Sequence, residues 1–308
     1  MPPKWSQGTI YYQIFPERFR KENPFYAPEN CVAWGSKPTA SNFMGGNLNG
    51  IRKSLSYLAE LGVECIYLNP VFASPSNHKY DTTDYYKVDP HFGSNEDLRI
   101  LVKEAHEKHI RVILDAVFNH TGTEFFAFAD LLKNQEKSEY QSWYHITCFP
   151  VREEADCYEC FFGFAGMPKL NTGNEKVQEY FLNVLEYWVR KVQVDGYRFD
   201  VIDEIDENFV LKIRDRLKRL NPELILIGET WAEGKRLLNG CEMDSIMNYS
   251  FRQAMLDFFA ERSINAETFG HRLETALSRH PDETNMAMFN ALDTHDTVSY
   301  THLTLPTK

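Results

Sequence analysis

Residues 111–120 read RVILDAVFNH. Val112, Ile113 and Leu114 form an apolar run that carries through Asp115 and closes on Asn119 and His120. A run with no polar face predicts a strand buried on both sides, as in a parallel sheet. The same pattern recurs outward from it. Strands are expected at 10–15, 65–71, 111–117, 197–202 and 224–227, more weakly at 245–249, and at 286–292. Helical spacing fills the intervals. Ile51, Leu55, Leu58 and Leu61 mark one face, Leu98, Leu101, Val102 and Ala105 another. Asn174 is placed to cap a long helix through Val177, Phe181, Val184, Leu185 and Trp188. Strands alternating with helices imply parallel pairing and right-handed crossovers. Seven units, no fixed-period repeat and no glycine-rich fingerprint after the first strand favour an α/β fold, a (β/α)8 TIM-type barrel. The barrel is expected to be incomplete, with about seven strands present.

The organisation follows. Residues 1–117 and 174–297 are expected to form the two parts of the barrel. Residues 118–173, too long and aperiodic for a plain loop, are expected to form a small inserted domain after strand three. Residues 298–308, VSYTHLTLPTK, match no pattern and are expected to be a non-native tail on a C-terminally truncated chain.

The 308 residues are 43% hydrophobic, 25% charged and 14% aromatic, which excludes a disordered or fibrous chain. Forty-four acids against 33 bases give a net charge of −11, so neither nucleic acid nor an anionic membrane is an expected partner. No apolar run approaches the ~18 residues of a membrane span. The start, Met1-Pro2-Pro3-Lys4-Trp5, has no secretory h-region, so a cytoplasmic location is expected. Six cysteines are too few for a disulfide scaffold, and Cys157 and Cys160 lack a second ligand pair for zinc. They are read as reduced thiols, with no metal site.

Polar residues gather at the strand ends, where a barrel carries its site. These are Asn69, Asp115, Asn119 and His120, then Arg198 and Asp200, then Glu229, then His295 and Asp296. Any one of them could cap a helix or form a structural ion pair. Five strand ends ending this way together favour one shared site. Period-two alternation puts Arg198 and Asp200 on one face, where the guanidinium would keep the carboxylate ionised as a nucleophile requires. Glu229 follows Ile225-Leu226-Ile227-Gly228, and apolar surroundings would raise its pKa as a general acid requires. Two carboxyls with opposed demands point to glycoside hydrolysis, with retention at a separation of ~5–5.5 Å.

The segments 115–120 (DAVFNH), 196–200 (GYRFD), 228–231 (GETW) and 292–297 (LDTHDT) resemble the four ordered signature regions of the α-amylase family of glycoside hydrolases. Residues 167–171 (MPKLN), 62–72 (GVECIYLNPVF) and 77–93 are similar to its neopullulanase, cyclomaltodextrinase and maltogenic amylase branch. The resemblance implies Asp200 as nucleophile, Glu229 as acid/base and Asp296 as the third carboxylate, binding sugar hydroxyls. It implies that Arg198 orients Asp200, that His120 and His295 bond the sugar, and that Tyr80 stacks on it, with Glu204 at the substrate and Asp115 and Asn119 structural. It further implies cleavage of α-1,4-glucosidic bonds in cyclomaltodextrins, maltooligosaccharides, pullulan or starch, and a homodimer for the full-length protein. Residues 201–204 read VIDE where the branch has VANE, which leaves substrate preference open. Gly45-Gly46-Asn47 stands where the branch has a calcium-associated Gly-Gly-Asp, and the loop 21–30 lacks the usual Asp and Asn. No cofactor is required, and Ca2+ is left open without being predicted. An oligo-1,6-glucosidase or α-glucosidase on the same barrel is the alternative, and a non-catalytic transporter-associated barrel a remote one.

Overall fold

The computed structural model describes residues 1–23, 28 and 30–297. Its strands are β1 (Tyr11–Ile14), β2 (Cys65–Leu68), β3 (Phe72–Ala73), β4 (Asp84–Val88), β5 (Arg111–Ala116), β6 (Gly196–Phe199), β7 (Ile225–Gly228) and β8 (Ser245–Ile246). Six of them form one sheet in the order β1-β2-β5-β6-β7-β8, with every neighbouring pair parallel. β3 and β4 make a separate antiparallel pair. Six parallel strands in chain order, with helices in every interval except that from β7 to β8, are an incomplete (β/α)8 barrel.

Strand alternation divides the apolar residues between two cores. Cys65, Tyr67, Ile113, Ile225 and Ile227 pack on the inner side with Met247, Tyr249 and Phe289. Ile66, Leu68, Val112, Leu114, Tyr197, Phe199 and Leu226 face the helices. The helix Glu175–Val192 begins as its sequence implies, with Asn174 Oδ1 accepting from Lys176 N at 2.8 Å, and buries Val177, Phe181, Val184, Leu185 and Trp188. Burying each large apolar side chain is worth about 1.5–3 kcal/mol. Ser94 and Asp97 form a reciprocal capping box at the start of Asn95–Glu107. Gly196, at φ 155°, begins β6 where an added Cβ would lie 2.1 Å from Ile225 O. A side chain there would push β6 off β7.

Three expectations need correction. The helix along Ile51, Leu55, Leu58 and Leu61 is two helices, Leu48–Lys53 and Leu55–Glu60, broken at Ser54, and Leu61 is exposed. Tyr249 leaves the expected strand 245–249 to open the helix Tyr249–Met255. The seventh strand, 286–292, does not form. Asp282–Met286 is helical, and beyond it Phe289 alone makes a parallel bridge, to Met247. An outer strand with no further neighbour loses half its ladder. The gap is narrow nonetheless. Gly8 N donates to Met286 O at 2.8 Å, and the Tyr11 and Phe289 rings lie 4.9 Å apart.

Between β5 and Glu175–Val192, the chain forms the helix Phe126–Asn134, several single turns and isolated antiparallel bridges such as Ile146 to Tyr158 and Cys160 to Pro168. Asn47, in the segment compared above with a calcium-associated motif, caps Leu48–Lys53 by accepting from Gly50 N at 2.8 Å. That engages the Asn47 side-chain oxygen at a helix N-terminus. The expected tail, 298–308, and part of loop 21–30 lie outside the described residues. Among the described residues, no helix is long and apolar enough to cross a membrane.

Candidate active site

β5 and β6 set Asp115 beside Arg198 in register, with both side chains on the inner face. Arg198 is 1% exposed. Its Nη1 donates to Asp115 Oδ1 at 2.9 Å and to Asp200 Oδ1 at 2.8 Å. Its Nη2 lies 3.0 Å from Glu229 Oε2 and 3.9 Å from Asp296 Oδ2. Neither Nη2 contact is aligned as a hydrogen bond, so this buried donor has none among the described residues. Its Coulomb attraction to Glu229 persists without that alignment. Four carboxyls from four segments thus surround one guanidinium.

Asp115 is held from its other side. The hydroxyls of Tyr67 and Tyr80 donate to its Oδ2 at 2.6 and 2.9 Å. Tyr80 Oη also accepts from Asn69 Nδ2 at 3.1 Å and lies 2.5 Å from His295 Nε2, and the Tyr80 and His295 rings are parallel within 3°. Gln13 Nε2 donates to His295 Nδ1 at 2.8 Å, which leaves the ring proton on Nε2. Burial, reinforced by Arg198, lowers the His295 pKa to about 3, so the ring is neutral at pH 7. His120 is also neutral, taken down to about 4 by burial. Its ring stacks on Phe161 at 4.8 Å, and its Nε2 has no partner among the described residues.

The carboxyl electrostatics differ from the expectation. Burial raises the Asp200 pKa. Arg198 opposes that rise, while Asp115 and Glu229 add to it. Burial likewise raises Asp115 and takes Asp296 up to about 6. Arg198 is one cation among four acids, so it offsets the burial of Asp200 only in part, where the sequence had it holding that carboxylate ionised.

Asp200, Glu229 and Asp296 line a cleft of about 490 Å³ with Tyr80, His120, His78, Phe161, Phe162, Met167, Val201, Asp203 and Trp231. Arg198, Asp115 and Asn119 are buried, and none of them lines the cleft. Glu204 is exposed and accepts from Lys169 Nζ at 2.6 Å, outside that lining. Its neighbour Asp203 lines the cleft instead and accepts from Thr230 Oγ1 at 2.5 Å. A larger groove of about 820 Å³ runs along β1 and residues 286–295. It is the seam of the open barrel and carries a single acid in its lining, Asp293, so the chemistry belongs to the smaller cleft.

Sequence reasoning missed seven cleft residues, four of them ring-bearing. Trp231, 63% exposed, stacks on Tyr249 at 3.9 Å and 4°. An exposed tryptophan two residues after a site glutamate was the available signal. Phe161, Phe162 and His78 gave weaker ones: a paired aromatic before a glycine, and a histidine two residues from Tyr80.

Residues 13–303 match the family model described as the alpha-amylase catalytic domain. The chain belongs to the α-amylase family. Among its relatives, a cyclomaltodextrinase of Thermoanaerobacter pseudethanolicus (strain ATCC 33223 / 39E) is 48% identical over 297 residues, covering 96% of this chain and 52% of that protein. An intracellular maltogenic amylase of Bacillus subtilis (strain 168) is 44% identical over 296 residues, covering 96% of this chain and 50% of that protein. The chain therefore spans about half the length of the curated relatives it matches. The solved cyclic alpha-maltosyl-(1→6)-maltose hydrolase from Arthrobacter globiformis superposes with a TM-score of 0.94 at 36% identity, covering 96% of this chain and 68% of that one. That family's fold is the barrel described above.

Proposed function

We propose that this α-amylase family chain carries the catalytic barrel of a retaining glycoside hydrolase. It cleaves α-1,4-glucosidic bonds in cyclomaltodextrins, maltooligosaccharides, pullulan or starch. The observation that carries this reading is Arg198, a single buried guanidinium within 2.8 Å of Asp200 and 3.0 Å of Glu229, two carboxyls that line an aromatic cleft. The Asp200 carboxylate attacks the anomeric carbon while Glu229 protonates the departing oxygen, and a covalent glycosyl ester forms. Glu229 then takes a proton from water, which opens the ester with retention. Asp296 binds sugar hydroxyls and stabilises the oxocarbenium-like charge. His120, neutral and with Nε2 unpartnered among the described residues, offers a hydrogen bond rather than charge. His295, with both ring nitrogens engaged by Gln13 and Tyr80 and outside the cleft lining, braces Tyr80 instead of reaching the sugar as expected. Tyr80 and Trp231 give sugar faces flat surfaces to stack on.

Residues 118–173 act in this reading as the inserted domain that walls the cleft with Phe161, Phe162 and Met167. No cofactor takes part. The names of the relatives support α-glucan and cyclodextrin substrates, and the Bacillus subtilis relative's name supports a cytoplasmic location. The test is product analysis with β-cyclodextrin and soluble starch. Release of maltose or glucose, abolished in Asp200→Asn, supports the reading. Equal release by Asp200→Asn contradicts it.

A further inference from the structure

The inserted segment holds a second reactive group that the cleft chemistry does not use. Cys148 Sγ and Cys157 Sγ lie 2.8 Å apart, as free thiols. They sit on facing arms of a small hairpin. Ile146 and Tyr158 pair across it, Thr147 N donates to Cys157 O at 2.9 Å, and Thr147 Oγ1 donates to Asp156 O at 2.6 Å. The backbone therefore holds the two sulfurs together, and ~1 Å or less of further approach gives an S–S bond of ~2.05 Å. Cys157 is buried, while Cys148 is partly exposed and so open to a reagent. The loop between them carries Arg152, whose guanidinium lies 3.1 Å from Glu154 Oε2. The remaining cysteines are placed differently. Cys160 is bridged to Pro168, and Cys31, Cys65 and Cys241 lie on other segments.

We propose that Cys148 and Cys157 are an oxidisable dithiol pair that closes to a disulfide by exchange with a small disulfide of the glutathione class. The Cys148 thiolate attacks one sulfur of the reagent, forming a mixed disulfide and releasing one glutathione thiolate. The Cys157 thiolate then attacks Cys148 Sγ and releases the second. The protein loses two electrons and two thiol protons, and the reagent gains both as two glutathione thiols. The thiol–thiol hydrogen bond raises the Cys148 pKa, so closure accelerates as pH rises. Tyr158 and Cys160 continue from this hairpin to Phe161, the ring stacked on His120. The bond accordingly restrains the cleft wall at its base. This inference stands independently of the function proposed above.

The experiment equilibrates the purified full chain with glutathione buffers of increasing disulfide fraction, quenches with an alkylating agent and maps the peptides by mass. Two of six titratable thiols are lost, and a peptide pair linked through Cys148 and Cys157 appears, 2 Da lighter than its reduced halves. Cys148→Ser removes the linked pair. Hydrogen exchange in the unsubstituted chain then slows at residues 146–158 on oxidation, a readout that needs no variant to fold. Alkylation of all six thiols at every ratio overturns the proposal. So does linkage through other cysteines, or an equal yield in urea-unfolded chain.

Discussion

Val201 donates its backbone N–H to Glu229 Oε2 at 2.9 Å from a left-handed conformation, φ 45° and ψ 49°. A β-branched residue adopts that backbone only under constraint, at a cost of order 1–3 kcal/mol. The strain turns the chain directly after Asp200 and fixes Glu229 across from it. Val201→Asn tolerates the same backbone, so it is expected to raise unfolding free energy by about 1 kcal/mol. A urea midpoint at or below that of the unsubstituted chain would show that the valine's packing outweighs its strain.

Glu229→Gln removes the proton donor and leaves the shape of the site. Hydrolysis of maltooligosaccharides should fall by roughly 10²–10⁴-fold. With an α-glucosyl fluoride, whose leaving group needs little protonation, the first step should fall far less. A loss of equal size on both substrates would place the acid elsewhere.

Burial takes the Asp296 pKa up to about 6 in the folded chain, from the ordinary aspartate value of 3.8. A raised carboxyl contributes stability that is present below the unfolded pKa and is lost as pH rises through the folded one. The chain should therefore lose stability relative to Asp296→Asn between pH 4 and 6 and stay lower above that. Urea midpoints of the two proteins at pH 4 and pH 7 measure it. A gap that does not widen at pH 7 contradicts the assignment.

Lys79 is fully buried, 2.8 Å from Asp89 Oδ2, and takes a positive φ between His78 and Tyr80. Lys79→Met strands a buried carboxylate and should cost about 3–5 kcal/mol. Adding Asp89→Asn should recover part of that. A double variant no more stable than the single one would locate the cost in packing rather than charge.

Much of this was legible in the sequence because strand and helix periods are set by burial. The apolar run at 111–116 and the spacing from Val177 to Trp188 each had one low-energy reading. The polar strand ends that gather on Arg198 were legible for the same reason, since alternation fixes which side chains share a face. What escaped depended on distant partners. Whether residues 286–292 form a strand turns on a neighbour at the outer edge of the sheet, which composition does not show. The Asp200 pKa depends on how many carboxyls share one guanidinium. Trp231 and Phe161 required knowing which loops meet over the cleft, and Glu204 and Asp203 exchange expected places because one turn after Val201 decides which of them faces inward.

The most direct measurement of the central claim is to trap the glycosyl-enzyme. The purified chain is incubated with a 5-fluoro-α-glucosyl fluoride, and its intact mass and peptides are read. The account predicts a rise of one fluoroglucosyl unit, mapped to the Asp200 carboxyl and absent in Asp200→Asn. A label on Glu229 or Asp296, or a label undiminished in Asp200→Asn, would contradict it.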